Sequence, residues 1–398
     1  MQSYRFNRME LAGSMGDLGA LLPLAIGMVM VNGLDPVGLF VSVGLLYVAG
    51  GLYFHVPIAV QPMKVVSAYA IATAATQTQI TASGLLLAAM LLFFGITGLV
   101  DVISRAIPKA VIRGVQLSTG ALLMGKGMGF ITGTSAFQAA EGAAEPYLAI
   151  QALGPVPVGI LIGVILSAAT LLLLNNEKYP AALVVVAAGA ASGLLLGAYS
   201  GLTNISPGLH LPDFLPFGFP AGIDFTWAFL ALALPQIPMT LGNAVIANRD
   251  LSFEYFGDES RRVTDRALCI CMGLANIVAA LLGGMPICHG AGGLAAHYRF
   301  GARTGGSNLI IGSIFLMLAF VCGSGIVYVM HVMPLAALGV LLIFAGVQLG
   351  LAIMDLRERE ELFVALCMVG VTLGANLAWA FGVGLFLAYV IRRGRVSV

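Results

Sequence analysis

The residues best suited to chemistry are polar side chains and prolines within a segment that is otherwise apolar. Residues 57–64 read Pro-Ile-Ala-Val-Gln-Pro-Met-Lys, so that Gln61, Pro62, Met63 and Lys64 are consecutive. A lysine in such a segment needs a partner charge or a wet cavity, because an isolated ammonium is costly in an apolar environment. The neighbouring amide can donate hydrogen bonds to oxyanion oxygens. Together these residue types favour binding of a small anion.

A second segment of the same character lies later in the chain, where residues 284–290 read Gly-Met-Pro-Ile-Cys-His-Gly. Proline disfavours helix in the residue before it and suits the first position of a helix. Both segments are therefore predicted to be extended at first and then to begin a half-helix near Pro62 or Pro286. The N-terminus of a helix attracts anions. The predicted substrate-binding residues in the two segments are Gln61, Pro62, Met63, Lys64, Cys288, His289 and Gly290.

Three further polar side chains occur in apolar runs. Gln236 and Asn243 can donate to an oxyanion, or they can instead join neighbouring helices by hydrogen bonds. Asp17 is predicted to lie about two turns into the first span, and an acid inside the membrane suits the coupling of transport to protons. The alternative interpretation of Asp17 and Lys64 is a structural ion pair. The spacing of the cysteines and histidines fits no metal site, and no cofactor is expected.

The composition shows what kind of protein positions these residues. Of 398 residues, 59% are hydrophobic and only 9% are charged, whereas about 25% are charged in a soluble domain. The 51 glycines suit close helix packing in lipid. The lipid bilayer is thus the expected environment, and no nucleic-acid partner is expected.

The apolar runs predict an all-α membrane protein of fourteen spans, since each span needs about 20 residues. Twelve runs are continuous, and the segments 56–76 and 284–300 are interrupted by proline and glycine. The continuous runs are residues 11–32, 36–55, 81–100, 108–127, 155–174, 180–199, 224–247, 264–283, 306–325, 331–351, 360–377 and 379–392.

The basic residues test this count. With fourteen spans and a cytoplasmic N-terminus, all 19 lysines and arginines except Lys64 and Lys126 fall on the cytoplasmic side, as the positive-inside rule requires. Removal of either interrupted segment would destroy the pattern. Both termini are therefore predicted to be cytoplasmic, in the inner membrane of a cell.

The chain also repeats internally. Pro62 precedes Gly114 by nearly the same interval that separates Pro286 from Gly339. Because a unit of seven spans crosses the membrane an odd number of times, its second copy must be inverted. The sequence therefore predicts repeats at residues 1–200 and 201–398, which is an architecture of secondary transporters.

Four motifs resemble the molybdate transporter family, which is distantly related to the SulP sulfate transporters. Residues 57–64 resemble its first signature, and residues 234–247, Leu-Pro-Gln-Ile-Pro-Met-Thr-Leu-Gly-Asn-Ala-Val-Ile-Ala, resemble its second. Gly-Asp-Leu-Gly-Ala-Leu-Leu-Pro at 16–23 and Cys-His-Gly-Ala-Gly-Gly-Leu at 288–294 fit as well. The resemblance covers nearly the whole chain.

The resemblance implies the seven-plus-seven inverted-repeat fold of SulP and nucleobase carriers, often a homodimer. Spans 1–4 and 8–11 would form a substrate-carrying core, and spans 5–7 and 12–14 a gate. The implied substrate is molybdate, with tungstate or sulfate as close mimics. SulP proteins commonly carry a cytoplasmic STAS domain, and none is expected here because the chain stops at Val398.

The leading hypothesis is therefore a secondary carrier that moves its core against its gate and takes up an oxyanion with protons as a symporter. A sulfate or nucleobase carrier, or an anion channel on the same fold, is the alternative. A membrane-embedded enzyme would need paired carboxylates or a metal cluster, and the spans offer only Asp17. Enzymatic activity is not expected.

Overall fold

A computed structural model describes residues 4–100, 102, 107–173, 181–199 and 201–393. Most of these residues are helical. Some features used in the sequence analysis lie outside the described residues: Arg105, Lys178, Arg395, the facing ends of the runs 155–174 and 180–199, and the repeat boundary at residue 200.

The first half of the chain contains nine of the helices described below and three two-residue strands. They are α1 (Arg8–Ser14), α2 (Leu18–Met30), α3 (Pro36–Phe54), β1 (Gln61–Pro62), α4 (Lys64–Thr73), α5 (Gln77–Thr97), α6 (Lys109–Thr132), α7 (Ala136–Glu141), β2 (Ala152–Leu153), β3 (Val156–Pro157), α8 (Val158–Leu173) and α9 (Ala181–Leu195).

The second half begins with a long helix that contains two π-helical stretches. Its elements are α10 (Gly222–Ser260), α11 (Asp265–Leu281), β4 (Ile287–Cys288), α12 (Ala291–Arg299), α13 (Gly306–Cys322), α14 (Ile326–His331), α15 (Leu335–Leu351), α16 (Arg359–Gly374) and α17 (Leu377–Arg392).

The two interrupted segments are broken, as predicted, and they meet. Strand β1 pairs antiparallel with β4, with Gln61 opposite Cys288 and Pro62 opposite Ile287. The Met63 N–H donates to the Pro286 carbonyl over 2.9 Å. Because Pro62 belongs to this extended pair, the half-helix α4 begins at Lys64, two residues after the predicted start.

The first span differs from the single helix that the sequence predicted. Helices α1 and α2 are bent by 42° at the break between them. In this break the N–H groups of Met15, Gly16 and Leu18 donate to carbonyls three residues earlier instead of four. Glycine and aspartate are weak helix formers, which favours a break here. Asp17 therefore lies at the N-cap of α2 and not within a continuous helix.

Helix α10 is also irregular, for a reason that the prolines supply. Pro235 and Pro238 have no N–H to donate to the carbonyls four residues before them. The π-helical stretches Phe229–Ala233 and Thr240–Ile246 lie on either side of these prolines. Single π turns within α-helices occur frequently at functional sites.

Glycines allow the closest helix crossings. Helix α6 packs against α15, its predicted counterpart in the second repeat. At this crossing a β-carbon on Gly127 would overlap the Gly339 carbonyl oxygen, and one on Gly120 would overlap that of Gly346. Similar pairs of helices, α3 with α13 and α5 with α11, pack along the rest of the molecule.

By length and apolar character, five of the described helices could cross a membrane, or six if the bent pair α1 and α2 counts as one. Most of the others are shorter or are divided by breaks, whereas the continuous 24-residue helix α6 is less apolar. The count of fourteen spans thus remains a prediction.

We expect Gly127→Ala to destabilise the protein, because its methyl group would overlap the facing helix. Overpacking of this kind typically costs about 1–3 kcal/mol. The matched control is Gly125→Ala on the same helix, where a β-carbon would meet no atom within 4 Å. Thermal unfolding of the purified protein should show a lower Tm for Gly127→Ala alone. Equal Tm values for the two variants would contradict this account of the crossing.

Candidate anion-binding site

The antiparallel strand pair is held in place by asparagines that the sequence analysis did not select. The Asn308 side chain donates to the Ile58 carbonyl (2.7 Å) and accepts from the Ile58 N–H (3.1 Å). Asn276 does the same for Ile287, at 2.7 and 3.0 Å. Extended backbone at membrane depth needs such partners, because lipid supplies none. Their positions inside apolar runs were the available signal.

His289 and Cys288 join the two interrupted segments. The His289 Nδ1 donates to the Ala59 carbonyl over 2.9 Å, and the Cys288 Sγ lies 3.8 Å from the Pro62 carbonyl oxygen. Both side chains are buried. Among the described residues no group of three or more His, Cys, Asp or Glu side chains could hold a metal ion.

Gln236 caps the first half-helix. Its Oε1 accepts from the backbone N–H groups of Val65 (2.9 Å) and Val66 (3.2 Å) in the first turn of α4. Its Nε2 donates to Thr240 Oγ1 over 2.9 Å. The glutamine thus occupies two of the N–H groups that the sequence analysis had offered to an anion.

The second half-helix begins differently. Within the described chain, no acceptor is found for the N–H groups of Ala291, Gly292 and Gly293 in the first turn of α12. Asp17 and Gln61 lie beside this turn, because a β-carbon on Gly293 would overlap Asp17 Oδ2 and one on Gly290 would overlap Gln61 Oε1. Glycine at these two positions is what allows the close approach.

Asp17 and Gln61 form a buried pair. The Gln61 Nε2 donates to Asp17 Oδ1 over 2.8 Å. In the part of the chain that the structure describes, Asp17 Oδ2 and Gln61 Oε1 have no hydrogen-bond partner. The pair connects the start of α2 to strand β1 and places a carboxyl group next to the start of α12.

Lys64 faces a cavity of about 380 Å³. No described carboxylate lies within 4.0 Å of its ammonium group, so the proposed ion pair with Asp17 does not form a direct contact here. Lys64 is the first residue of α4, and a cation there opposes the helix dipole. An anion in the cavity would supply the counter-charge that Lys64 lacks nearby and would reduce the unfavourable interaction with the helix dipole.

Of the other predicted site residues, Asn243 also lines this cavity. Gln61, Pro62, Met63, Gln236, Cys288, His289 and Gly290 form the structure around the strand pair instead, outside the cavity lining. Gln116 and Gln348, which were not predicted from the sequence, reach the cavity from α6 and α15. A polar residue in each of two repeat-related helices was the only signal for them.

The cavity can accept a small anion. One ammonium group and the amides of Asn243, Gln116 and Gln348 surround it, and most of the remaining lining is apolar, with Leu24, Leu123 and Phe344 among its members. Few polar groups placed in an apolar pocket are typical of sites that select a small ligand.

Comparison with known proteins identifies the family to which the chain is similar. A family model described as "Molybdate transporter of MFS superfamily" matches residues 9–123 and 228–349. The chain belongs to the molybdate transporter family. Molybdate transporter 2 of Arabidopsis thaliana is 33% identical over 96% of this chain and 87% of its own length. Molybdate transporter 1 of Chlamydomonas reinhardtii is 30% identical, over 94% and 90% respectively.

The fold of this chain is similar to that of two solved anion transporters. The transmembrane domain of the cyanobacterial bicarbonate transporter BicA matches with a TM-score of 0.67 at 17% identity, over 97% of this chain and 98% of that domain. The murine Slc26a9 anion transporter in its inward-facing state matches with a TM-score of 0.69 at 14% identity, over 100% and 70%. The predicted SulP-like fold is therefore confirmed, and the chain is an integral membrane protein.

Gln236→Leu should expose the start of α4, because Val65 and Val66 would lose their acceptor. Loss of a helix cap typically costs about 0.5–2 kcal/mol. Hydrogen–deuterium exchange of residues 64–70 should accelerate in this variant. Thr240→Val, which removes only the partner of Gln236 Nε2, is the control and should leave exchange there nearly unchanged. Equal acceleration in both would show that the cap is not what protects this turn.

Proposed function

We propose that this protein is a secondary transporter of a tetrahedral oxyanion and that its substrate is molybdate. One observation carries the proposal: the Lys64 ammonium lines a cavity at the start of a half-helix, and no described carboxylate lies within 4.0 Å of it. An anion is the ligand that such a group lacks. Membership in the molybdate transporter family and similarity to molybdate transporters of Arabidopsis thaliana and Chlamydomonas reinhardtii support molybdate as that anion.

The groups around the cavity fit an oxyanion of this shape. Lys64 supplies charge, and the Asn243, Gln116 and Gln348 amides can each donate to one of its oxygens. The cavity also borders Gly19, in the first turn of α2, where the helix N-terminus favours negative charge. Tungstate and sulfate share the tetrahedral shape and charge, so they are the natural competitors.

The position of the cavity supports the proposed division into core and gate. Helices α2, α4 and α10, from the proposed core, line one side with Gly19, Lys64 and Asn243. Helices α6, α8, α9 and α15, from the proposed gate, line the other with Gln116, Thr170, Ala181 and Gln348. Relative movement of these two groups would expose the cavity first to one side of the membrane and then to the other.

Asp17 is the proposed proton site. Uptake of a dianion against an inside-negative potential is unfavourable by about 2.3 kcal/mol per charge per 100 mV, so a coupling ion is required. The Asp17 side chain is buried, and among described residues only one of its oxygens has a hydrogen-bond partner. A proton on the other oxygen would neutralise the carboxyl group beside the start of α12.

The remaining predicted residues are proposed to position the site. Gln61 orients Asp17, Gln236 caps α4, and the His289 side chain ties its own segment to Ala59. Pro62, Met63, Cys288 and Gly290 keep the strand pair in register. We place both termini on the cytoplasmic side from the distribution of basic residues.

Lys64→Ala should weaken molybdate binding at least about tenfold, which corresponds to 1.4 kcal/mol. The reason is the loss of the one cation that the described residues contribute to the cavity lining. Isothermal titration of purified protein with molybdate, tungstate, sulfate and uracil would measure this.

The matched control for Lys64→Ala is Lys126→Ala, which removes a lysine of α6 that lies over the Phe130 ring and outside the cavity lining. Its affinity should stay within about twofold of the native protein. Unchanged molybdate affinity in Lys64→Ala, or tightest binding of uracil, would refute the proposed site.

Asp17→Asn should abolish accumulation driven by a pH gradient and retain exchange of molybdate for molybdate. Asparagine can still accept the Gln61 hydrogen bond, but it cannot carry a proton in and out. Uptake of labelled molybdate into proteoliposomes, with and without an imposed gradient, separates the two activities. Asp35→Asn, in the loop before α3, is the control. Gradient-driven accumulation by Asp17→Asn at the native level would disprove this role.

A further inference from the structure

A second cavity of about 210 Å³ lies beside the central one. It is lined by Lys109, Arg113 and Gln116 of α6 and by Met239, Gly242 and Asn243 of α10. Gln116, Met239 and Asn243 also line the central cavity, so the two cavities adjoin at these side chains. Both cations lie at the start of α6, on the side to which the charge pattern assigns the cytoplasm.

The two cations currently hold a carboxylate of their own chain. The Arg113 Nε and Nη2 donate to Asp355 Oδ1 (2.9 Å) and Oδ2 (2.5 Å), and the Lys109 Nζ lies 3.2 Å from Oδ2. A planar guanidinium that donates two parallel hydrogen bonds suits a carboxylate and a tetrahedral oxyanion equally well. Asp355 thus shows which ligand geometry the pair accepts.

This ion pair is solvated. The side chains of Lys109, Asp355 and Arg113 are 50%, 43% and 25% exposed. Water therefore has access to all three side chains, so a dissolved anion can reach the two cations. Because the arginine contact is bidentate, an incoming anion must offer the same two-oxygen geometry to compete with Asp355.

The second repeat provides a contrast at the start of α15. There Glu145, from the loop after α7, accepts from the backbone N–H groups of Leu335 and Ala336, each over 2.8 Å, and is 1% exposed. Asp355, which follows α15, reaches back to the start of α6 in the same way but binds side chains at the surface. The buried cap is suited to structure, and the exposed one is suited to exchange.

We propose that Arg113 and Lys109 form a second oxyanion site at the cytoplasmic mouth of the central cavity and that Asp355 competes for it with the transported anion. Arg113 Nη1 also donates to Gln116 Oε1 over 2.8 Å, which connects the site to the central cavity. The identity of the anion rests on the proposed function, and the site itself does not.

The test uses Arg113→Gln, Asp355→Asn and, as a control of equal charge change, Arg357→Gln, an exposed arginine two residues after Asp355 that lines neither cavity. The KM for molybdate presented at the cytoplasmic face of oriented proteoliposomes should rise about fivefold in Arg113→Gln and fall about threefold in Asp355→Asn. Arg357→Gln should change it by less than about 1.5-fold.

The opposite signs are decisive. If the pair were only a structural link, Arg113→Gln and Asp355→Asn would shift KM in the same direction and would both lower the Tm. If surface charge alone mattered, Arg357→Gln would match Arg113→Gln. Either result overturns the proposal.

A binding measurement separates this site from the central one. In a Lys64→Ala background, equilibrium dialysis with molybdate and with sulfate should detect weak residual binding that Asp355→Asn strengthens and Arg113→Gln removes. Failure of the native protein to transport molybdate would contradict the proposed function alone. Residual binding that neither change alters would contradict the second site alone.

Discussion

The structure depends on the pairing of two short strands, β1 and β4, at a depth where lipid cannot form hydrogen bonds with the backbone. Gln61 and Pro62 lie opposite Cys288 and Ile287, and two asparagines complete the hydrogen bonds of the extended chain on either side. Because unsatisfied N–H and C=O groups are costly at this depth, the pair fixes the register of both segments. Half-helices α4 and α12 can then begin on either side of it, which brings Lys64, Asp17 and the first turn of α12 into one region.

The starts of the two half-helices, α4 and α12, differ in the groups that surround them. Gln236 caps the start of α4, and Lys64 adds a positive charge at the first residue of that helix. The start of α12 instead lies against the carboxyl group of Asp17. We therefore propose that the anion binds at the first half-helix and the proton binds beside the second. Binding of both ions in one core would make each of them lower the electrostatic cost of the other.

The helix breaks and the inverted fold could be predicted from residue types and their spacing in the sequence. Pro62 and Pro286 cannot continue a helix, so the two breaks followed from the sequence, and the basic residues and repeat spacing indicated the inverted fold. The pairing partner of each segment depends on contacts between distant residues, and so does the capping of α4 by Gln236. The bend that places Asp17 at a helix start was missed because the apolar run 11–32 continues through it. Gln116 and Asp355 escaped notice because their roles depend on the facing helix.

The central claim is that an oxyanion binds in the cavity beside Lys64. Tungstate tests it directly, because tungsten scatters strongly and shares the tetrahedral shape of molybdate, so a structure of the protein with tungstate would locate the ion without ambiguity. The account predicts a peak in the central cavity, with an oxyanion oxygen within salt-bridge distance of the Lys64 ammonium and a second within reach of the Asn243 amide. Density for tungstate elsewhere in the membrane region, with no peak in the central cavity, would contradict binding beside Lys64.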